Sequence, residues 1–458
     1  MLLLFSIFVC IGVLTAATQV LSFRFPGQVL LLRKFLHVFA VLGCAIAISE
    51  YEETRILAFL FLLFSVLLFS AVRYRWLMVS RGESWGIALF PLAFGVLLLL
   101  PGLDKQHVVS AAMVLALADA MAGWAGSTLA RRYWVPLSEQ KSVLGSAVFF
   151  ATTLSILLWR YGWSLDHWWP LALLALLATG AEMFSWRGSD NLTIPFVVAL
   201  MLQQWQNGAL TEMDSGYFLM GGLLLGPVLY WRRWLTSGGS NAAVWMGLLL
   251  SAQLGLQPLL LPIFFLVSGS LCSKLNPHEK EKQGRNALQV FANGGLAMLL
   301  ALLNPVLPAE WVYYCFTLIF AVANADTMSS EIGKYYRGQT YDILQWHKIT
   351  PGLSGGVSIQ GTLAGLLGSA IMVLLAGLIF PFSWFEQTVL LLGGFGGMLL
   401  DSILGSVLQA KYQVAGQIAE SGTKAQLVRG LHWCNNDWVN LLSILLMILL
   451  GLSIMSFC

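Results

Sequence analysis

Ala321-Val322-Ala323-Asn324-Ala325-Asp326-Thr327-Met328-Ser329-Ser330-Glu331-Ile332-Gly333 starts as an apolar run and then places an amide, two carboxylates and two serines where the run should stay apolar. A carboxylate at the centre of a bilayer costs on the order of 2.5 to 3.5 kcal/mol on insertion scales, so an acid inside such a run marks a functional site by default. A polar link follows, then Thr350-Pro-Gly-Leu-Ser-Gly-Gly-Val-Ser358, and Gly361-Thr362 opens another apolar helix. Glycine-rich backbone leading into a helix N-terminus is a ready anion site. Ser354, Gly355 and Ser358 are therefore candidate phosphate contacts.

An earlier stretch echoes this one. Ala118-Asp119-Ala-Met121 matches Ala325-Asp326-Thr-Met328, Gly126 falls where Gly333 does, and Gly145 stands as far beyond Asp119 as Gly352 beyond Asp326. A second echo pairs Arg33-Lys-Phe-Leu36-His-Val38-Phe39-Ala40 with Arg285-Asn-Ala-Leu288-Gln-Val290-Phe291-Ala292. Two modules of one design are the simplest reading.

The chain has 458 residues, 58% hydrophobic and 10% charged, with a mean hydropathy of +0.77. That composition defines an all-α polytopic membrane protein whose surroundings are the lipid bilayer. Six scattered cysteines without a C-x-x-C pair argue for neither disulfides nor zinc, and a net charge of +3 is too small to suggest nucleic acid. Residues 1–23 lack the basic start of a signal peptide and read as the first span.

At about 20 apolar residues per crossing, spans are expected near 3–22, 35–49, 56–72, 85–101, 107–130, 143–159, 168–185, 192–206 and 216–231. Seven more follow near 242–254, 258–272, 287–303, 311–333, 353–380, 387–410 and 438–456, about 16 in all. With both termini outside, about 22 of the 25 basic residues fall in alternate loops on one side, leaving Arg55, Lys105 and Arg160 on the other. The positive-inside rule makes the basic side cytoplasmic, in a plasma or bacterial inner membrane, and brings both Asp motifs near that face. Thr236-Ser-Gly-Gly-Ser240 reads as a flexible connector, dividing the chain into modules 1–235 and 236–458.

Asp119, Gly123 and Gly126 share one helix face, a carboxylate beside open space that suits a phosphate. The same face equally suits close helix packing, with Asp119 as hydrogen-bonded glue. Lys141-Ser142 and Gly145 follow at a helix start, then Glu182 and Asp190-Asn191, oxygen donors of the kind that hold Mg²⁺ in phosphoryl transfer. Asp190 also suits a helix cap. In the second module Arg285, Gln289 and Asn293 share a face, as do Asp401, Gly405 and Gln409. Asn435-Asn436-Asp437 precedes the last span, with Asn440 one turn on. His37, His347 and His432 suit helix ends and loops at least as well as chemistry. There is no Walker A motif and no soluble-kinase H-R-D or D-F-G set.

Residues about 30–200 resemble the phytol kinase and dolichol kinase family of CTP-dependent integral-membrane lipid kinases. The resemblance rests on Arg33-Lys34 with His37, Asp119-Ala-Met-Ala-Gly-Trp-Ala-Gly126, Lys141-Ser-Val-Leu-Gly145-Ser146, and Glu182 with Asp190-Asn191-Leu-Thr-Ile-Pro195. Residues about 240–458 resemble the phytyl-phosphate kinase family. The carriers there are Arg285-Asn286 with Gln289 and Asn293-Gly294, Ala325-Asp326-Thr327 with Ser330-Glu331-Ile-Gly333, Gly352-Leu-Ser-Gly-Gly-Val-Ser358, Asp401-Ser402 with Gly405 and Gln409, and Asn436-Asp437 with Val439-Asn440.

Together the resemblances imply a bifunctional kinase of isoprenoid salvage. The first module would phosphorylate an alcohol of the phytol or geranylgeraniol type, and the second would convert the monophosphate to the diphosphate. The implied donor is a nucleoside triphosphate, CTP or ATP, with Mg²⁺. The implied roles are catalysis for Asp119, Asp326 and Glu331. Nucleotide and phosphate binding fall to Arg33, Lys141, Ser142, Gly145, Arg285, Asn286, Ser354, Gly355 and Ser358, and metal binding to Glu182, Asp190, Asn191, Asp401, Asn436 and Asp437. A lipid-phosphate cytidylyltransferase and a lipid-phosphate transporter are the alternatives, the latter because repeated halves with glycine-interrupted helices also describe carriers.

Overall fold

The computed structural model describes the chain apart from residues 1–11, 15–16, 19, 22–23, 26–28, 75–84, 135–140, 186–187, 209–224, 276–283, 337, 415–416, 421–425 and 456–458. The chain divides into two compact units, Met1–Glu212 and Met213–Cys458.

In the first unit the helices are α1 (Val29–Glu50), α2 (Thr54–Arg73), α3 (Gly86–Leu99), α4 (Lys105–Thr128), α5 (Val143–Tyr161), α6 (Leu165–Met183) and α7 (Asp190–Gln206). A short hairpin, β1 (Tyr133–Trp134) against β2 (Lys141–Ser142), stands between α4 and α5. In the second unit they are α8 (Ser237–Leu254), α9 (Leu260–Leu275), α10 (Ala287–Leu303), α11 (Ala309–Tyr336), α12 (Ile359–Gly377), α13 (Trp384–Val407) and α14 (Asn436–Met455). A second hairpin, β3 (Tyr341–Asp342) against β4 (Gly356–Val357), separates α11 from α12.

Every expected span except 3–22 and 216–231, which lie largely outside the described residues, coincides with a helix. Seven helices among the described residues are long and apolar enough to cross a membrane: Thr54–Arg73, Lys105–Thr128, Val143–Tyr161, Gln257–Leu275, Ile359–Gly377, Trp384–Val407 and Asn436–Ile454. Others are short, such as Gly86–Leu99 and Ala287–Leu303. The span expected from residue 353 begins only at Ile359, because Gly355 takes a positive φ of 85° and Gly356–Val357 pair as a strand.

The fold is not purely helical. Beyond α13 lies a three-stranded antiparallel sheet of β5 (Lys411–Val414), β6 (Gln417–Ala419) and β7 (Gln426–Arg429), in the order β6-β5-β7. This sheet is tied to the glycine-rich turn. Lys411 Nζ donates to the Ser354 carbonyl at 2.8 Å, the Ser354 N–H donates to Glu420, and Arg429 lies 3.7 Å from the buried Asp342. Asp342 also accepts from Ser406 Oγ at 2.8 Å and from the Leu344 and Gln345 N–H groups at 3.0 Å. Burial pushes its carboxyl up, but these hydrogen bonds and the Lys411 ammonium hold it below the usual value on balance.

The helices that carry the two Asp motifs are the central ones. In α4 the residues from His107 to Ala112 are all buried, and in α11 those from Tyr314 to Ala325. A helix buried all round needs small partners, and α12 supplies them. A methyl group at Gly361, Gly365 or Gly368 would come within 2.9, 3.2 and 3.1 Å of the Ser329, Ala325 and Asn324 carbonyls respectively. Asn324 bolts this core together: its Oδ1 accepts from Ser268 Oγ at 2.7 Å on α9, and its Nδ2 donates to the Gly368 carbonyl at 2.9 Å on α12.

Candidate active site

In the second unit a polar cavity of about 580 Å³ opens where α9, α10, α11 and α14 converge. Helical spacing explains who reaches it. From α11 come Asp326, Thr327, Ser330, Glu331 and Lys334; from α10, Gln289 and Asn293; from α14, Asn436, Asp437 and Asn440. Ser270, Ser273 and Lys274 of α9 join Arg232, Arg233 and Arg285 to complete the wall. Five basic side chains thus face three carboxylates, a set that favours a polyanion.

Arg285 is set by main-chain pairing. Its N–H donates to the Trp234 carbonyl at 3.0 Å, and its carbonyl accepts from the Thr236 N–H at 3.0 Å. Its guanidinium lies 4.8 Å from the centre of the Phe265 ring, within electrostatic reach of Glu331 and Asp326. Thr236–Ser240 is accordingly not a connector. Thr236 caps α8 by accepting from the Gly239 N–H at 3.1 Å, and Gly238, Gly239 and Ser240 are buried. Any Cβ on Gly239 would run into the Arg285 carbonyl. Gly239→Ala is therefore expected to destabilise the unit by about 1–3 kcal/mol, as overpacking against backbone does. Its thermal midpoint in detergent should fall; an unchanged midpoint would show that this contact does not hold Arg285.

Glu331 Oε1 accepts from Lys334 Nζ at 3.3 Å, while the buried Oε2 meets no hydrogen-bond partner among the described residues. Asp401 does not line the cavity. It is buried behind it, accepting from Ser443 Oγ at 3.1 Å, and with the Asn440 amide turned to satisfy both its atoms, the Asn440 nitrogen donates to Asp401 at 3.1 Å. Asn286 caps α10 in a reciprocal capping box with Gln289, both bonds at 3.0 Å. Ser354 and Gly355 also lie off the cavity wall, Gly355 packed against Ser406 of α13, and Ser358 caps α12 by accepting from the Gly361 N–H at 3.2 Å.

In the first unit Lys141 is the hub. Its Nζ lies 2.9 Å from Glu182 Oε1 and donates to Ser185 Oγ at 2.8 Å; Ser185 Oγ in turn donates to Asp190 at 3.4 Å. Burial works against the ammonium, but Glu182, Asp190 and Asp119 more than offset it, so Lys141 titrates above the usual lysine value. Ser146 donates to the other Glu182 oxygen at 3.5 Å. Asp190 opens α7 and accepts from the Asn191 N–H at 2.9 Å, and the buried Asn191 Oδ1 has no partner among the described residues. Lys34 of α1 reaches the open face at Gly123. The side chain of Arg33 lies outside the described residues.

Ser142 accepts from the Gly145 N–H at 2.9 Å, and a methyl at Gly145 would fall 3.6 Å from the Gly126 Cα. The same local arrangement recurs with Ser358, Gly361 and Gly333. Gly145 therefore corresponds to Gly361 rather than to Gly352, which sits in the turn with φ of 94°. Spacing alone concealed this because the link from Asp326 to Ser358 is longer than that from Asp119 to Ser142.

Arg232, Arg233, Lys274 and Lys334 were not among the site residues expected from sequence, since cations beside a span ordinarily report topology. Ser185 carried no signal at all.

A polar, charge-rich cavity at the convergence of apolar helices is the architecture of an integral membrane protein with a polar site among its helices. The chain belongs to the family described as Integral membrane protein DUF92, whose model matches residues 220–448, within the second unit. It is similar to an uncharacterized membrane protein of Synechocystis sp., 26% identical over 225 residues, covering 47% of this chain and 87% of that protein. It is also similar to two Arabidopsis thaliana proteins. Protein PGR is 30% identical over 227 residues, 41% of this chain and 77% of PGR. Protein VTE6, chloroplastic, is 27% identical over 223 residues, 46% of this chain and 62% of VTE6. No solved structure matches.

Proposed function

We propose that the chain is a membrane isoprenoid kinase acting twice, the first unit turning an isoprenoid alcohol into its monophosphate and the second turning the monophosphate into the diphosphate. The observation that carries this reading is the cavity of the second unit, which gathers Asp326, Glu331, Asp437 and Arg285 with Lys274 and Lys334. These are among the residues through which that half resembles the phytyl-phosphate kinase family. Membership of the DUF92 family, with VTE6 and PGR among the relatives, supports a membrane-embedded role for the same half. The recurring Asp, hairpin, serine cap and glycine contact support descent of the two halves from one design.

A long-tailed alcohol dissolved in the bilayer meets a soluble nucleotide only at the interface. Both Asp motifs would face the cytoplasmic side by the distribution of basic residues. Phosphoryl transfer then needs in-line positioning and charge neutralisation more than covalent chemistry. In the first step the alcohol oxygen attacks the terminal phosphorus, the bond to the leaving nucleoside diphosphate breaks, and the hydroxyl proton passes to the Asp119 carboxylate. In the second step the attacking oxygen is already an oxyanion. Asp326 is then free for positioning, while Arg285, Lys274 and Lys334 offset phosphate charge.

Mg²⁺ fits the donor sets, which are all oxygen, and Glu331 Oε2 and Asn191 Oδ1, without partners among the described residues, are acceptors suited to a cation. Asp326, Glu331, Asn436 and Asp437 would hold it in the second unit, and Asp190 and Asn191 in the first. Among the described residues no group of three or more His, Cys, Asp or Glu could hold a metal alone, so substrate phosphates would complete the coordination, as is usual for Mg²⁺. When bound, the ion would neutralise charge on the transferring phosphoryl group.

The test uses purified full-length protein in detergent with geranylgeraniol, or geranylgeranyl monophosphate, and CTP labelled at the α or the γ phosphate; ATP serves as the second donor. Label from the γ position appearing in monophosphate and then diphosphate is expected. Label from the α position would make the protein a cytidylyltransferase, and no label from either nucleotide would favour a carrier.

A further inference from the structure

Beside the polar cavity lies a second one of about 80 Å³ whose walls are apolar throughout. Met246, Gly247 and Leu250 of α8, Ile263 and Phe265 of α9, and Val290 and Gly294 of α10 line it. Two features join it to the polar cavity. On α10, Val290 and Gly294 each follow a polar-cavity residue, Gln289 and Asn293, so one helix turns a polar face to one space and an apolar face to the other. Phe265 walls the apolar space while its ring carries the Arg285 guanidinium at 4.8 Å, so a single cation–π contact marks the boundary.

The apolar cavity also reaches the outer surface of the helices. Its lining residues Leu225 and Ile263 are 37% and 41% exposed, whereas Leu250 and Leu259 are buried.

We propose that this cavity receives the prenyl tail of a lipid phosphate whose head group occupies the polar cavity. The proposal rests on the function proposed above and adds to it the tail's route and the residues that sense it. Burial of tail carbons beyond the first isoprene unit against Ile263, Val290 and Met246 supplies binding that a single-isoprene phosphate lacks. Gly294 keeps the space open: a Cβ there would meet the Met246 thioether at 2.6 Å and push it into the cavity.

The experiment compares wild type, Ile263→Trp at the mouth and Gly294→Leu in the interior. Diphosphate formation is measured from geranylgeranyl and isopentenyl monophosphates. Both variants are expected to lower kcat/KM for the geranylgeranyl substrate about tenfold or more through KM, the worth of roughly two buried methylenes, and to leave the isopentenyl substrate unchanged. In parallel, wild type is photolabelled with a prenyl monophosphate bearing a diazirine on its tail, competed by unmodified geranylgeranyl monophosphate. Label is expected on 246–250 and 259–266. Equal losses for both chain lengths, or competed label elsewhere, would overturn the proposal. Label at those residues without any turnover would sink the kinase reading and leave the tail site standing. If both variants fail to fold, the label on wild type alone decides.

Discussion

Asp326→Asn is expected to slow conversion of isoprenyl monophosphate to diphosphate by about a hundredfold or more, the scale of losing one preorganised electrostatic group. Phosphorylation of the alcohol should continue. The substitution keeps shape and hydrogen-bonding capacity but removes a full charge from the wall that also carries Glu331 and Asp437. With one carboxylate gone, the basic side chains hold the phosphates without the counter-charge that positions them. The measurement is product accumulation from each substrate under saturating nucleotide, with thermal unfolding as a control for fold. Turnover of the monophosphate within twofold of wild type would remove Asp326 from the site.

Lys141→Met should have the largest effect on the first unit. The Lys141–Glu182 pair is largely dehydrated, with side chains 15% and 9% exposed. Removing one member of a buried pair strands the other and costs about 3–5 kcal/mol. The thermal midpoint should fall and monophosphate formation should be lost, while diphosphate formation from added monophosphate persists at temperatures below the new midpoint. The double variant Lys141→Met with Glu182→Gln should recover much of the stability, since no lone charge stays buried, yet recover none of the alcohol-kinase activity. Recovery of both would reduce the pair to scaffolding. The pH dependence has a definite sign. A lysine whose folded value lies above the usual 10.5 stabilises fully below that value and loses its contribution only as pH rises through the folded one. The stability gap between wild type and the single variant should therefore stay level between about pH 7 and pH 9.

Much of the helical framework is legible in the sequence. Composition and apolar run lengths located the helices, because a bilayer demands helices of defined length. Acids inside apolar runs marked α4 and α11, because such residues are too costly to stand there without purpose. Less legible was what each polar residue does with its hydrogen bonds. Asn286 and Ser358, expected from their motifs to bind phosphate, cap helices, and Asp401, expected to bind metal, lies behind the cavity against Asn440. Thr236–Ser240 has linker composition, yet its glycines are small because the Arg285 backbone lies against them. Long-range main-chain pairing of this kind leaves no local periodicity to read. The cations Arg232, Arg233 and Lys274 were visible but ambiguous, since topology alone accounts for them.

The serine caps carry a further consequence. Ser358 already satisfies the first-turn amide of Gly361, and a side chain at Gly361 would meet the Ser329 carbonyl, so that amide is closed to an incoming anion. Under the proposed function, recognition of a phosphate would then fall to the ammonium and guanidinium groups of the cavity wall, which attract at a distance as well as on contact. Their reach is set by the surrounding electrolyte, about 10 Å at 0.1 M ionic strength and about 3 Å at 1 M. Under the proposed function, capture of a phosphate would accordingly be governed by counter-ion screening as much as by fit.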